Sequence, residues 1–275
     1  MTLPEPLAEG VQALYEDHDL LVLCKPSGLL CVPGRGPDKQ DCLSARAQQR
    51  WPGALVVHRL DQATSGLVLM ARHLDAQRRL GHAFAERKVH KRYQAVVQGL
   101  LGTVGGDWSE IDLPIAADWE RRPLRVIDHT VGKPSLTRWR ALAHDATAQT
   151  TRVELEPLTG RTHQLRVHLA AIGHPILGDG LYADAATQAQ APRLLLHASH
   201  LAFSHPATGT PVTLAWAEEF EENAALLANA GDALDKCRTS KSSLPDVRRF
   251  PSLLFARRAE NAASAPAFIA PEAIY

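Results

Sequence analysis

The sequence predicts a strand-rich α+β chain, and three observations carry that prediction. Leu20-Leu21-Val22-Leu23-Cys24 and Leu67-Val68-Leu69-Met70-Ala71 are short, continuously apolar and bounded by turn-formers, the pattern of strands buried in a sheet. Tyr93, Ala95 and Val97 alternate with Gln94, Val96 and Gln98, the period of a strand. Helical spacing occurs between such runs: Leu80, Ala83 and Phe84 recur within 74–87, and Leu165, Leu169 and Ile172 within 163–172.

Residues 11–25 predict a strand, a polar turn and a second strand, broken by Lys25-Pro26-Ser27-Gly28. Pro33-Gly34-Arg35-Gly36-Pro37 is a loop, and 42–50 a short helix stopped by Trp51-Pro52-Gly53. Strands are expected at 55–57 and 67–71. The helix over 74–87 turns its basic residues away from its apolar side. A strand over 91–98 and a Gly-rich loop over 99–106 follow. Pro114, Pro123 and Pro134 make 112–134 irregular. Strands are expected at 136–143 and 151–156. The helix over 163–172 has Thr162 as candidate N-cap and Gly173 as its stop. Residues 193–203 are strand-like, His205-Pro206-Ala207-Thr208-Gly209 turns the chain, and 212–216 is a last strand. Beyond about residue 220 an Ala-rich acidic helix gives way to an Ala/Pro tail, expected to be loosely ordered.

The chain has 275 residues, 45% hydrophobic and 22% charged, enough to bury a sizeable core. Its formal net charge is zero, so no global basic field attracts nucleic acid. The balance is local, however. Arg78, Arg79, Arg87, Lys88 and Lys91 lie between Arg72 and Arg92 against only Asp75 and Glu86, enough for a basic face on a neutral protein. Cys24, Cys31, Cys42 and Cys237 form no C-x-x-C pair, which argues against a zinc ribbon. The N-terminus MTLPEPLAEG lacks the layout of a secretory signal, and no apolar stretch reaches membrane-spanning length. A soluble, reduced, cytoplasmic protein without disulfides is expected.

His58-Arg59-Leu60-Asp61-Gln62-Ala63-Thr64-Ser65-Gly66 carries the strongest chemical signal. Asp61 stands at the rim of an apolar strand, close to a cation and a small turn. Such an Asp either forms the turn, pairs with a cation or reacts. In Thr159-Gly160-Arg161-Thr162-His163-Gln164-Leu165-Arg166-Val167-His168, the helix reading puts His163 and Arg166 on one face, away from the apolar stripe. Arg166 then points into a site or over the surface. His163, His168 and His174 are five and six apart, which argues against a metal site on one helix face. Tyr93 is either a core aromatic or a ring that stacks on a base. A phenol near its usual pKa of about 10 would need a cation or a substrate beside it to act as a base. The basic residues at 87–92 either face solvent or hold phosphate.

Together these segments resemble the RluA family of RNA pseudouridine synthases over about residues 13–216. The resemblance rests on HRLDQATSG (58–66), KRYQAVV (91–97), PLTGRTHQLRVHLAAIGHPILGD (157–179) and RLLLHASHLAFSHP (193–206), in that order. SGLLCVPGRG (27–36), DLPIAADWERRP (112–123) and APRLLLHA (191–198) are similar to the branch acting on both large-subunit rRNA and the tRNA anticodon stem-loop. The resemblance implies a mixed, mainly antiparallel sheet flanked by helices, with a central catalytic cleft. It implies a catalytic domain over 1–220 without an S4-type module, and leaves 221–275 as an extension. Asp61 falls on the family's essential carboxylate, and Tyr93 on the tyrosine that stacks on uracil and is proposed to take the C5 proton. Arg166 falls on the basic residue that pairs with the Asp, and Arg59 on the arginine inserted when the uridine leaves the stack. Arg87, Lys88, Lys91 and Arg92 are expected to hold the RNA backbone. The expected partner is RNA, the expected state a monomer, and the isomerisation needs no cofactor or metal. A non-catalytic RNA-binding module is the rival reading, and a metal-dependent hydrolase a third.

Overall fold

The computed structural model describes residues 11–216. The helix expected after 220 and the tail to Tyr275 lie outside them. The described residues form twelve strands and four α-helices. In chain order these are β1 (Gln12–Glu16), β2 (Leu20–Lys25), α1 (Leu43–Arg50), β3 (Leu55–Val56), β4 (Ser65–Ala71), α2 (Leu74–Ala85), β5 (His90–Gln98) and β6 (Ser109–Asp112). There follow β7 (Ile115–Ala117), β8 (Arg125–Ile127), β9 (Leu136–Asp145), β10 (Thr150–Pro157), α3 (Gln164–Ala171), α4 (Ala185–Ala189), β11 (Leu196–Ser204) and β12 (Pro211–Ala215).

Ten strands make one sheet in the order β1-β2-β4-β11-β5-β10-β9-β6, with β3 added to β4 and β12 to β11. Every pairing is antiparallel except β4 with β11, so the sheet is mixed and mainly antiparallel. That parallel seam lies mid-sheet and is short, with Ser65 opposite His197 and Gly66 opposite Ala198. On its other side Ala198 pairs with Tyr93. The segment entering β4, which carries Asp61, therefore sits beside the tyrosine strand. Gly66 makes this close approach feasible: its φ is +117°, and a Cβ there would meet the Ala198 backbone N and O at 2.4 Å.

Burial explains the apolar patterns. β2 and β4 are buried on both faces. Leu21, Leu23, Val68 and Met70 pack towards α1, and Leu20, Val22, Leu67 and Leu69 towards Leu80 of α2. Continuous apolar runs suit strands covered twice. In β10, Val153 and Leu155 pack with Leu165 and Leu169 of α3, while Arg152, Glu154 and Glu156 occupy the other face. Hence β10 alternates.

The expected elements are found with shifted ends, and three readings need correction. Residues 112–134 are not irregular: β7 and β8 pair as a hairpin, Ile115 opposite Ile127. Three-residue strands are too short to show a period. Helix α4 was not anticipated; Asp184 caps it, its Oδ1 accepting from the Thr187 amide at 2.7 Å. Thr162 is not the N-cap of α3. His163 holds that position in a left-handed conformation, φ 58°. No side chain caps the helix; Gln164 Oε1 instead ties the preceding turn to it, accepting from the Arg161 amide and from Thr159 Oγ1. Gly173 does end the helix, at φ +84°, with Gly173 N donating to Ala170 O and His174 N to Leu169 O.

Candidate active site

A cleft of about 670 Å³ opens where the Asp61 turn, the start of β5 and the entry to α3 meet. Asp61, Tyr93 and Arg166 all line it, as do Arg59, Arg87 and Lys91. Arg59 is exposed at its wall. Two expected RNA-binding residues fall elsewhere. Lys88 is exposed and pairs with Glu86 at 2.8 Å. Arg92 lies on the opposite face of β5 from Tyr93, paired with Glu154 at 3.5 Å and set over the Trp108 ring. Adjacent strand residues face opposite ways, so Lys91 and Arg92 cannot both face the cleft.

The loop carrying Asp61 is held from below. Lys25 is fully buried, and its Nζ donates to three carbonyl oxygens: Pro26 at 2.9 Å, Leu29 at 2.8 Å and Gln62 at 2.9 Å. Ser27 Oγ donates to Ala63 O at 2.7 Å, and Gly28 N to Gln62 O at 2.9 Å. Burial pushes the Lys25 ammonium down to about 8, against the opposing pull of Cys31 and Asp61. The sequence signal for this lysine is weak: it merely ends an apolar run. His58 is a strut as well. Its Nε2 accepts from Leu69 N at 2.9 Å, its ring stacks on Phe84 at 4.5 Å, and burial lowers its pKa to about 3. It is neutral and does not exchange protons near pH 7.

The Asp61 carboxylate faces the cleft, with about a quarter of its side chain exposed. Its Oδ2 lies 3.7 Å from Arg166 Nη1 and 3.9 Å from His163 Nε2. Neither distance closes a hydrogen bond. Arg166 spends its fork on another acid: Nε donates to Asp179 Oδ2 at 2.8 Å and Nη2 to Asp179 Oδ1 at 2.6 Å. Burial opposes the guanidinium's charge, but the Asp179 bonds outweigh it and raise the pKa further. Asp179 Oδ1 also accepts from the amides of Leu181 and Tyr182. The Arg166 guanidinium lies over the Tyr182 ring at 5.1 Å. Arg166 and Asp61 are therefore neighbours, as expected, but Asp179 is the tighter partner. Asp179 ends the segment PLTGRTHQLRVHLAAIGHPILGD, yet no spacing rule ties it to Arg166.

Tyr93 packs against the two cores on either side of the seam. Burial, and then the negative charge of Asp61, raise its phenol pKa well above the usual value. The free protein thus presents a neutral phenol. Lys91 is half-buried, and its pKa is lowered by burial and then by Arg87.

His163, His168 and His174 do not converge. Their ring nitrogens engage Tyr182, then Thr137 with Leu113, then Gln98 respectively. Among the described residues, ligating side chains do cluster at the turn after β1, as His18, Asp19 and His73, and as Asp17, Asp19 and His205. There the Nδ1 atoms of His73 and His205 accept from backbone amides. Each Nε2 is then the donor to Asp19 or Asp17, so the two imidazoles brace this turn through both ring nitrogens.

Comparison with known proteins places this geometry. Residues 19–171 match the family model described as RNA pseudouridylate synthase. The chain is 46% identical over 207 residues to the dual-specificity RNA pseudouridine synthase RluA of Yersinia pestis, covering 75% of this chain and 98% of that protein. It is 48% identical over 194 residues to the protein of the same name from Pasteurella multocida, covering 70% and 86%. Its fold is similar to the solved structure of human RNA pseudouridylate synthase domain containing 1, with a TM-score of 0.67, 29% identity, and coverage of 90% of this chain and 100% of that one.

Proposed function

The chain belongs to the RluA family of RNA pseudouridine synthases, and we propose that it isomerises uridines in large-subunit rRNA, the tRNA anticodon stem-loop or both, with Asp61 acting on the sugar. One observation carries the assignment of Asp61. Its carboxylate points into the cleft beside a guanidinium that is already bound elsewhere, and so keeps its lone pairs open.

The reaction breaks N1–C1′, turns the uracil, forms C5–C1′, and moves the C5 proton to solvent and a proton to N1. No electrons enter or leave. Asp61 either attacks C1′, as glycosidase carboxylates do, or removes the 2′ proton. Either role needs an unprotonated oxygen free of a closing hydrogen bond. Arg166 supplies fixed positive charge beside it. Tyr93 offers a ring for the flipped uracil to stack on. Its phenol is held neutral, so a water oriented by its oxygen is the better acceptor for the C5 proton.

Drawing a uridine from its stack costs a few kcal/mol. Arg59, exposed at the cleft wall, fills the vacated place, and Arg87 and Lys91 hold phosphate. Residues 1–220 act as the catalytic unit and 221–275 as an extension. The protein works as a cytoplasmic monomer. Among the described residues no helix is long and apolar enough to cross a membrane.

The decisive experiment maps pseudouridines by carbodiimide derivatisation in total RNA from a deletion strain, complemented with wild type or Asp61→Asn. Sites in rRNA or the anticodon stem-loop should vanish on deletion and return only with wild type. Restoration by Asp61→Asn overturns the assignment of Asp61. Unchanged sites on deletion overturn the targets.

A further inference from the structure

We propose that Tyr182 is a positioning residue that fixes His163 as an Nε2–H donor aimed at Asp61. This rests on the role given to Asp61 above. Tyr182 OH lies 2.6 Å from His163 Nδ1 and accepts the Arg125 amide at 3.0 Å. A backbone amide can only donate, so the single phenolic hydrogen is free to go to the imidazole. His163 Nδ1 is then an acceptor, and the ring proton sits on Nε2. That nitrogen is 3.9 Å from Asp61 Oδ2, across from Arg166 Nη1.

Two further observations fit a held ring rather than an incidental contact. His163 adopts a left-handed backbone, φ 58°, at the entry to α3, a conformation non-glycine residues keep only when their surroundings fix it. Its side chain is only 10% exposed and meets the Tyr182 ring edge-on, at 5.6 Å and 77°. The charged groups facing the imidazole are Asp61, Arg166, Arg125 and Asp179. Burial is the largest influence on it; Asp61 favours a second proton, Arg166 and Arg125 oppose one, and the net shift is downward. With Tyr182 donating to Nδ1, a second proton on the ring has to displace that hydrogen bond.

Asp61 is thus flanked by one permanent charge and one neutral donor. Each is locked from behind, Arg166 by Asp179 and His163 by Tyr182. Both donors face Oδ2, so when substrate expels water the neutral one can close on that oxygen without adding a charge, and Oδ1 is left to react.

The test is long-range ¹H–¹⁵N correlation on labelled full-length protein, which separates imidazole tautomers. His163 in wild type should read as neutral and Nε2-protonated at about pH 7 and above. In Tyr182→Phe the tautomer should mix or the ring should charge as pH falls. Turnover should drop about ten-fold with KM within about two-fold, and a new acid limb should appear in the pH–kcat profile. His163→Gln, which keeps a donor near the Nε2 position, should retain more turnover than His163→Leu. An Nδ1–H tautomer in wild type overturns the proposal, as does a Tyr182→Phe protein with unchanged tautomer and pH profile. If Tyr182→Phe does not fold, the wild-type spectrum still decides. Failure of the Asp61 assignment would show instead as turnover in Asp61→Asn, with the His163 spectrum unaffected.

Discussion

Asp179→Asn and Asp61→Asn should have opposite effects, one on stability and one on chemistry. Arg166 Nη2 and Asp179 Oδ1 are 2.6 Å apart, with side chains 5% and 1% exposed. Arg166 Nη1 and Asp61 Oδ2 are 3.7 Å apart, and Asp61 is 24% exposed. At an effective dielectric of about 20, those separations correspond to about 6 and about 4.5 kcal/mol of attraction before desolvation is counted. The Asp61 value is screened further by water in the cleft. The Asp179 pair adds a second charge-assisted bond, Arg166 Nε to Oδ2 at 2.8 Å. Removing that charge leaves the buried guanidinium with only the more distant, water-screened Asp61 carboxylate, at a net loss of about 3–5 kcal/mol. For a domain of this size Tm should fall by about 10 °C. Asp61→Asn should change stability by less than about 1 kcal/mol while abolishing product. Asp179→Asn should keep measurable turnover, lowered about 10- to 100-fold by displacement of Arg166. Calorimetry or urea titration of both variants, beside single-turnover assays, separates the two. Equal destabilisation, or a thermally silent Asp179→Asn, would show that Asp61 is the acid holding Arg166.

Gly66→Ala forces a Cβ to within 2.4 Å of the Ala198 backbone and should abolish soluble, folded protein; normal circular dichroism and Tm would contradict the close seam. Lys25→Met takes away the side-chain donor of the Pro26 and Leu29 carbonyls and one of the two donors to Gln62 O, and should cost about 2–4 kcal/mol at pH 7. Because the folded pKa of Lys25, about 8, lies below the ordinary 10.5, the unfolded chain binds more protons between those values; wild type should gain stability across that window, Lys25→Met should not, and parallel curves would remove the buried ammonium from the account. Tyr93 should yield no phenolate absorbance below pH 10 in a difference titration against Tyr93→Phe, and a transition near neutrality would reinstate it as the direct base. In RNA binding, Arg87→Ala and Lys91→Ala should each reduce the salt slope by about 0.7–0.9, whereas Arg92→Ala, already paired with Glu154, should leave it unchanged; the reverse order would put RNA on the other face of the sheet.

Much of this was legible in the sequence because local patterns carried it. Continuous apolar runs in β2 and β4 reflect burial on both faces, and Leu80, Ala83 and Phe84 mark the packed side of α2. Asp61, Tyr93 and Arg166 were legible as motif residues, and the fold brings them to one cleft. The misreadings share a physical origin. Arg92 was grouped with Lys91 by composition, although strand alternation sends them to opposite faces. The β7–β8 hairpin was lost because its strands are three residues long and its prolines dominate the local signal. Asp179, Tyr182 and Lys25 act on partners 13, 19 and 37 residues away, through contacts that only the folded chain creates.

On the role proposed for Asp61, Lys25 and Asp179 account for how the site would stay reactive. A carboxylate clamped by a bidentate guanidinium is stable but poorly nucleophilic, because its lone pairs are committed. A carboxylate left to itself in a cleft is free but badly placed. Here the two requirements are divided. Backbone anchors fix the Asp61 turn: Lys25 and Gly28 hold the Gln62 carbonyl and Ser27 the Ala63 carbonyl, so the side chain need not be gripped. Asp179 fixes Arg166, so the positive charge stays put without closing on Asp61. The 3.7 Å gap between Arg166 and Asp61 is then a consequence of competition, since the guanidinium already has a nearer and more deeply buried acid. Strengthening the Asp61 contact at the expense of Asp179 should therefore slow the reaction even as it shortens that distance.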